Sequence, residues 1–460
     1  MNKGKEALKT TLLCGLIILS VILAMFSWTM DEYFYSAVSI KDVVEIAVGQ
    51  LRLSSSGPPA HTSGPSDNTF TPLKAVYSEG GYKYMLSSDR QTMQDFGKTL
   101  RRAVSASLSV PGVSLTLSNG LVRWDNALKT NHMLVDFGSE LNLSAYMDMI
   151  GAKPAEDLSG LSFRRMIIAP DSEENEIDIL FKTSEGSAVH IYCSYVPDSA
   201  VTLFSMAKNE GEDCGLLYAF EYNESFPEIL PRQIASETLI SRAPVTLPRL
   251  APANSLEASG ENAAQKRREL ISAFGFSHSS VNVYDYSDGR VSYVDNSLSS
   301  LEISVLGNIR YVSSQKGPGI PVFNTGTSGA ILLRRYDMVN ACYAMLSSIE
   351  SASVESAAIL QLSDISYGNG IYTLRFDYYY KGMRIDLGEP AATFNLQGGY
   401  IKSAVIRPKS FVPTSETKKL ISQTDAIRIH ALNYGPTYRH YLDVTYFEDA
   451  DTGLLNPFWS

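Results

Sequence analysis

The sequence predicts an α+β protein in which a single N-terminal transmembrane helix is followed by extracytoplasmic domains built on antiparallel sheets. Three observations carry this prediction. Residues 10–30 are an uncharged apolar run. Short strand patterns punctuated by glycine turns, with a few amphipathic helices between them, fill the chain beyond. Near the C-terminus the order hairpin, hairpin, helix occurs twice, so the last part reads as a tandem repeat.

The apolar run reads TTLLCGLIILSVILAMFSWTM. At about 1.5 Å per helical residue it spans roughly 30 Å, the thickness of a hydrocarbon core. Lys3, Lys5 and Lys9 precede it and Asp31 and Glu32 follow it. That asymmetry makes residues 1–9 a cytoplasmic tail and puts the bulk of the chain outside the cell membrane. The exit from Met25 to Met30 has no small-x-small pattern, which favours an uncleaved anchor over a cleaved signal peptide. Within the span, Gly15 with Leu19 and Ile22 on the neighbouring ridge offers a surface for close approach of another helix; plain anchoring is the other reading, since no G-x-x-x-G is present.

Length and composition narrow the rest. A chain of 460 residues is long enough for two or three domains beyond the anchor, and its 44% hydrophobic content excludes wholesale disorder. A net charge of -10 excludes a general affinity for nucleic acid. The 26 tyrosines suit sheets. Cys14 falls within the anchor, leaving Cys193, Cys214 and Cys342; a bridge between Cys193 and Cys214 competes with the reading that all three are buried thiols.

Residues 31–72 form a juxtamembrane segment and spacer, with helical spacing at Ile40, Val43, Val44, Ala47 and Leu51 before a run rich in Ser, Gly and Pro. Residues 73–238 read as an N-terminal α+β domain. KAVYSEGGYKYMLSS is a hairpin turning at Gly80 and Gly81, and Asp89 caps a helix with Met93, Phe96, Leu100 and Val104 on one face. Four strand patterns follow. In residues 239–261, Pro244, Pro248 and Pro252 recur every four residues and predict an interdomain linker without helix or central strand.

The first repeat spans residues 262–367 and the second 368–460. A short helix precedes VNVYDYSDGRVSYVD and LEISVLGNIRYVSS, two hairpins with glycine turns, and residues 328–349 supply the helix, with Leu332, Tyr336, Val339, Tyr343 and Leu346 on its apolar face. YTLRFDYYYKGMRIDL and AATFNLQGGYIKSAVI repeat the hairpins, with a helix expected over residues 415–432. Each helix is expected to cover its own sheet. Strand alternation sends Tyr378 and Tyr380 to one face and Tyr379 to the other, so either one ring is exposed or all three pack inside a sheet covered on both sides. YLDVTYF and the apolar LLNPFWS close the last sheet.

GIYTLRFDYYYKGMRID, the hairpin at Gly398 and Gly399, DVTYF and the final NPFW resemble the C-terminal half of the YycH and YycI proteins of Gram-positive bacteria. The basic tail, single membrane helix and proline-rich break fit the same architecture. The resemblance implies a bitopic regulator in cell-wall homeostasis. Its partners would be the membrane, the sensor histidine kinase WalK and a second YycH- or YycI-like protein, and its outer domains would modulate the kinase. It implies no catalytic residue and no cofactor. The hairpin signals are also shared by PepSY-type modules, which makes a membrane-anchored inhibitor or escort of a secreted peptidase the alternative.

The residues themselves point away from enzymatic chemistry. His61, His132, His190, His278, His430 and His440 are far apart, and neither H-E-x-x-H, Cys-x-x-Cys nor an alternating Asp loop occurs. No G-x-S-x-G, G-x-G-x-x-G or P-loop is present; Ser328 in GTSGA suits a helix N-cap, and the acidic DSEENEID run suits a solvated loop entering a strand.

Overall fold

The computed structural model describes residues 70–460 apart from 109–113, 119–120, 152–159, 172–175, 184–187, 194, 226–233, 242, 255, 257–262, 278–280, 296–298, 315–316, 318, 323–334, 352–355 and 435–441. The anchor, the juxtamembrane helix, nearly all of the spacer, Ser328 and Leu332 lie outside the described residues. Phe70, the first described residue, is buried.

β1 (Lys74–Glu79) and β2 (Tyr82–Met85) form the expected hairpin, with Glu79 opposite Tyr82. α1 (Arg90–Leu108) starts where Asp89 Oδ1 accepts the Thr92 amide at 2.9 Å, and Met93, Phe96, Leu100 and Val104 are buried along it. There follow β3 (Ser114–Ser118), α2 (Leu121–Ala127), β4 (His132–Asn142), α3 (Leu143–Met149), β5 (Ser162–Asp171), β6 (Glu176–Thr183), β7 (Ala188–Cys193), α4 (Asp198–Glu210) and β8 (Glu212–Asp213). The strands make one eight-stranded antiparallel sheet in the order β3-β7-β6-β5-β4-β1-β2-β8. β9 (Leu217–Tyr218), α5 (Ala219–Ser225) and β10 (Leu239–Ile240) follow, β9 pairing with β10.

The remaining strands belong to a 14-stranded sheet. In chain order come β11 (Thr246–Asn254), α6 (Ala263–Ala273), β12 (Asn282–Asp285), β13 (Val291–Val294), β14 (Ser300–Ile303), β15 (Ile309–Val312), β16 (Ile320–Pro321), α7 (Arg335–Ser351), β17 (Ile359–Gly368) and β18 (Ile371–Tyr380). They are followed by β19 (Met383–Asp386), β20 (Ala392–Gln397), β21 (Tyr400–Ile406), β22 (Lys409–Lys419), α8 (Gln423–Tyr434), β23 (Val444–Glu448) and β24 (Leu455–Trp459). Hairpin, hairpin, helix and closing strand therefore do occur twice. β12 to β15 form a simple meander, whereas β19 and β20 run one after the other along β18, from Tyr380 opposite Met383 to Tyr372 opposite Leu396. β15 pairs with β21, so the two copies share one sheet. The tip of the β17–β18 hairpin, Tyr367–Ile371, groups apart from the compact unit formed by the other described residues; its turn places Asn369 and Gly370 at φ 53° and 77°.

Three expectations are corrected, and one choice between two readings is decided. The proline-rich stretch contains β11, paired with β22 from Thr246 to Asn254. It tolerates its prolines because they are not asked to donate. The ladder shifts between Pro248 and Leu250, and Pro252 lies opposite Phe411, whose own amide and carbonyl turn to Ser356 and Ala357. The helix expected over residues 415–432 starts only at Gln423, because Ser415 to Lys419 extend β22. Ala426 and Ile427 of α8 pack with Ala219, Tyr222, Ile240 and Leu442, with Trp459 of β24 against the cluster, so the helix covers the segment around α5 and β10 and not its own repeat's sheet alone. For the cysteines the reading without a bridge holds: all three are free thiols, Cys193 and Cys342 buried and Cys214 half-buried.

Tyr378, Tyr379 and Tyr380 are all buried, so the reading with an exposed ring falls. Tyr378 meets Phe411 and Tyr380 meets Tyr446 edge-on. Tyr379 points the other way, toward Gly138. That glycine, at φ 79°, has no room for a Cβ, which would sit 2.1 Å from Leu73 Cδ1 and 3.3 Å from the Tyr379 ring.

Candidate functional site

The eight-stranded sheet has two chemically different faces, and the difference follows from strand alternation. On β4, Met133, Val135 and Phe137 point to one side and His132, Leu134 and Asp136 to the other. Pairing carries this across the sheet: Val135 lies opposite Met166, while Asp136 lies opposite Arg165, and Arg165 opposite Lys182. The first face packs Phe137, Tyr146, Phe163 and Phe181 edge to face, with Phe163 and Phe181 centroids 4.9 Å apart. The second carries a row of charges beneath α2 and the segment from β9 to β10.

Glu237, just before β10, enters this row. Its side chain is fully buried, with Lys182 Nζ 2.6 Å and Arg165 Nη1 3.4 Å from Oε1, and Trp124 Nε1 donates to Oε2 at 3.3 Å. Arg165 Nε also meets Asp136 Oδ2 at 2.9 Å. A bulge in β5 leaves Arg164 out of the pairing between Phe163 and Arg165, so two successive arginines both reach Asp136, with Arg164 Nε 2.9 Å from Oδ1. Arg164 Nη2 then meets Asp443 Oδ2 at 2.6 Å, and Lys74 Nζ approaches Asp443 Oδ1 at 3.3 Å. The row thus becomes a seam that ties the N-terminal sheet to the segment entering β23.

Electrostatics keep the seam ionised. Burial pushes Asp136 up, but Arg164 and Arg165 outweigh it and hold the carboxyl well below the usual range. Burial likewise raises Asp443, against which Lys74, Arg164 and Arg165 bring it far down. For Glu237 the same contest, with Lys182 and Arg165 opposing burial, ends at about 2. Paired ions of this kind are held by geometry and have no open coordination position or nucleophile, so their chemistry is that of a fastening. Among the described residues, no group of His, Cys, Asp and Glu is arranged to hold a metal ion.

The second notable region is the free edge of the large sheet. Its strand order ends in β12 on one side and β22 on the other. β22 is protected by Pro413 and by Glu416, Lys418 and Lys419. β12 carries no Lys or Pro, and all four of its residues are exposed. The Tyr286 amide donates to Arg290 O at 2.9 Å, so alternation turns the amides of Asn282 and Tyr284 to β13 and those of Val283 and Asp285 outward. Val305 and Leu306, in the neighbouring turn, add exposed apolar surface beside Tyr284 and Tyr286. Among the described residues no strand pairs with the outer side of β12, which leaves those amides and carbonyls open to an added strand.

Among solved structures, the chain is similar to YycH from Bacillus subtilis, with 12% sequence identity and a TM-score of 0.52, over 88% of this chain and 96% of that one. The fold is YycH-like. An uncharacterised protein from Eubacterium rectale matches with 11% identity and a TM-score of 0.32, over 46% of this chain and 76% of that one. No protein-family model and no curated protein matches the chain. Coverage of 88% is more than the C-terminal half can supply, so the YycH-like arrangement extends into the N-terminal part, where the sequence had no motif to match.

The predicted helix-contact residues Gly15, Leu19 and Ile22 lie outside the described residues. Among the described residues no helix is long and apolar enough to cross a membrane. Sequence reasoning missed the seam and the bare edge. The one available signal for the seam was charge at inward strand positions, as in HMLVDF, RRMIIA and EIDILFK. His132 and His190 are buried in this layer, the latter with Nε2 2.7 Å from Asp178 Oδ1 and Nδ1 2.9 Å from Arg123 Nη1. His430 and His440 lie outside the residues whose side chains are described.

Proposed function

We propose that this protein is a membrane-anchored extracytoplasmic regulator of a two-component sensor histidine kinase, WalK-like, acting in cell-wall homeostasis by protein contact and without enzymatic turnover. The observation that carries this reading is the YycH-like fold over 88% of the chain. The uncharged run at residues 10–30 supplies the anchor, with Gly15, Leu19 and Ile22 as the surface for a partner's membrane helix. A second YycH- or YycI-like protein is a further partner. The exposed edge at β12 offers the outer part a second place of contact.

Regulation by such a module requires contacts that differ between the signalling states of the kinase, since equal contacts shift no equilibrium. Crosslinking and pull-down of the full-length protein from its own membranes tests the reading, beside a version whose residues 10–30 are replaced by an unrelated apolar helix. Recovery of a sensor kinase with the native helix and its loss with the replacement is the expected result. Recovery with both moves the contact to the outer domains. Recovery of a secreted peptidase and no kinase overturns the reading.

A further inference from the structure

Among the titratable groups of the polar layer that the seam does not use, His132 bridges the sheet and the segment above it. His132 is fully buried on β4. Its Nδ1 lies 2.8 Å from the Thr130 carbonyl oxygen, which can only accept, so Nδ1 carries the ring proton. Nε2 is then a bare acceptor and receives the Tyr218 hydroxyl at 2.9 Å. Tyr218 ends β9, and its amide donates to Glu221 Oε2 at 2.7 Å at the start of α5. Glu221 in turn pairs with Lys83 Nζ at 2.8 Å. Tyr218 thus joins the two ends, its hydroxyl on the His132 ring and its backbone amide on the carboxylate that pairs with Lys83, and together they tie the sheet to the segment above it.

We propose that His132 is an acid-sensitive clasp: neutral, it holds β9 and α5 on the N-terminal sheet, and protonated it releases them. A proton on Nε2 turns the acceptor into a donor facing the Tyr218 O–H, which must then swing its own hydrogen elsewhere in a fully buried site. It also places a second positive charge beside Lys83. The charged and titratable groups that face the ring are Lys83 on β2, Tyr218 on β9 and Glu221 on α5. Cys214, Arg165 and Glu237 lie around Tyr218, and Asp136, two residues along β4, is committed to Arg164 and Arg165.

Burial pushes His132 down to about 4, with Lys83 adding to the drop against the Thr130 carbonyl and Glu221. A ring freed into water titrates near 6.5. The closed form therefore resists the proton that the open form takes up, and opening grows as pH falls from about 6.5 to about 4. At pH 4.5 this amounts to tenfold to a hundredfold more of the open form, on the order of the separation of the two values. Glu237, held at about 2, keeps its charge through this window, so the seam persists while the clasp opens.

Hydrogen exchange of the full chain in detergent micelles, corrected for the intrinsic effect of pH, provides the test. From pH 7 to pH 4.5, β9 and α5 are expected to lose protection tenfold or more while β5 and β6 keep theirs. In His132→Gln the same segment is expected to change less than twofold. Nitrogen NMR of ring-labelled wild type gives a readout that does not depend on the variant folding: a neutral Nδ1–H ring at pH 6 that titrates together with the loss of protection. Protection of β9 and α5 that does not change with pH, equal loss in His132→Gln, or a ring titrating near 6.5 with the segment in place overturns the proposal.

Discussion

The two faces of the eight-stranded sheet bury comparable rows of side chains by opposite means. On one face, rings of Phe137, Tyr146, Phe163 and Phe181 meet edge to face, and what covers them need only be apolar and of the right shape. On the other, Asp136, Arg165 and Lys182 line up across three strands and accept only a cover that brings a carboxylate to one point. Glu237 meets that demand and Asp443 extends it. The apolar face supplies stability without direction, and the charged face decides where the segment before β10 and the segment before β23 must sit.

Removing the central acid is the strongest way to break this comparison. Glu237→Ala leaves Lys182 and Arg165 buried with part of their charge unanswered, and a loss of about 3–5 kcal/mol is expected in denaturant unfolding. Phe163→Leu on the opposite face keeps most of the buried volume and should cost less than about 1.5 kcal/mol. Equal losses for the two would mean that the seam is packed rather than paired.

The pH dependence sharpens the same contrast. Glu237 is held at about 2, below its ordinary value of 4.5, so its pairing contributes fully above pH 4.5 and is lost as pH falls toward 2. The separation corresponds to roughly 3 kcal/mol. Stability measured between pH 5 and 2 should therefore fall steeply in the wild type and less steeply in Glu237→Gln. His132 contributes earlier, between about 6.5 and 4, because its folded value is depressed and the native state refuses the proton. A smaller effect is expected at the outer end of the seam. Asp443, with 30% of its side chain exposed, is partly screened by water, and Asp443→Asn should cost about 1 kcal/mol in the same measurement.

Local patterns were readable in the sequence where neighbours in the chain settle the structure. The Gly80–Gly81 turn, the Asp89 cap and the apolar face of α1 depend on residues within one or two turns, and all three are where the pattern puts them. β11 was not readable, because what permits its prolines is the conformation of Phe411, far along the chain. The seam was hidden for the same reason. Asp136 and Asp443 meet through Arg164, and that arginine reaches both only because a bulge interrupts β5. No spacing rule links residues brought together by topology, whereas the repeated hairpins left a visible order even though β18 to β21 are arranged differently from β12 to β15.

The open edge at β12 is the place where the smallest stability effect and the largest effect on contact should coincide. Tyr284 is 51% exposed, and its backbone amide is already used by β13. Tyr284→Lys leaves that ladder intact and places a charge on the bare edge, as natural edge strands do to repel added strands. Its cost to folding should stay within about 0.5 kcal/mol. If the outer part binds its partner by strand addition at β12, crosslinking to that partner in membranes should fall severalfold in Tyr284→Lys and stay unchanged in Lys418→Glu on β22. A fall in the second variant alone would move the contact to the opposite end of the sheet, and no change in either would confine it to the membrane helix.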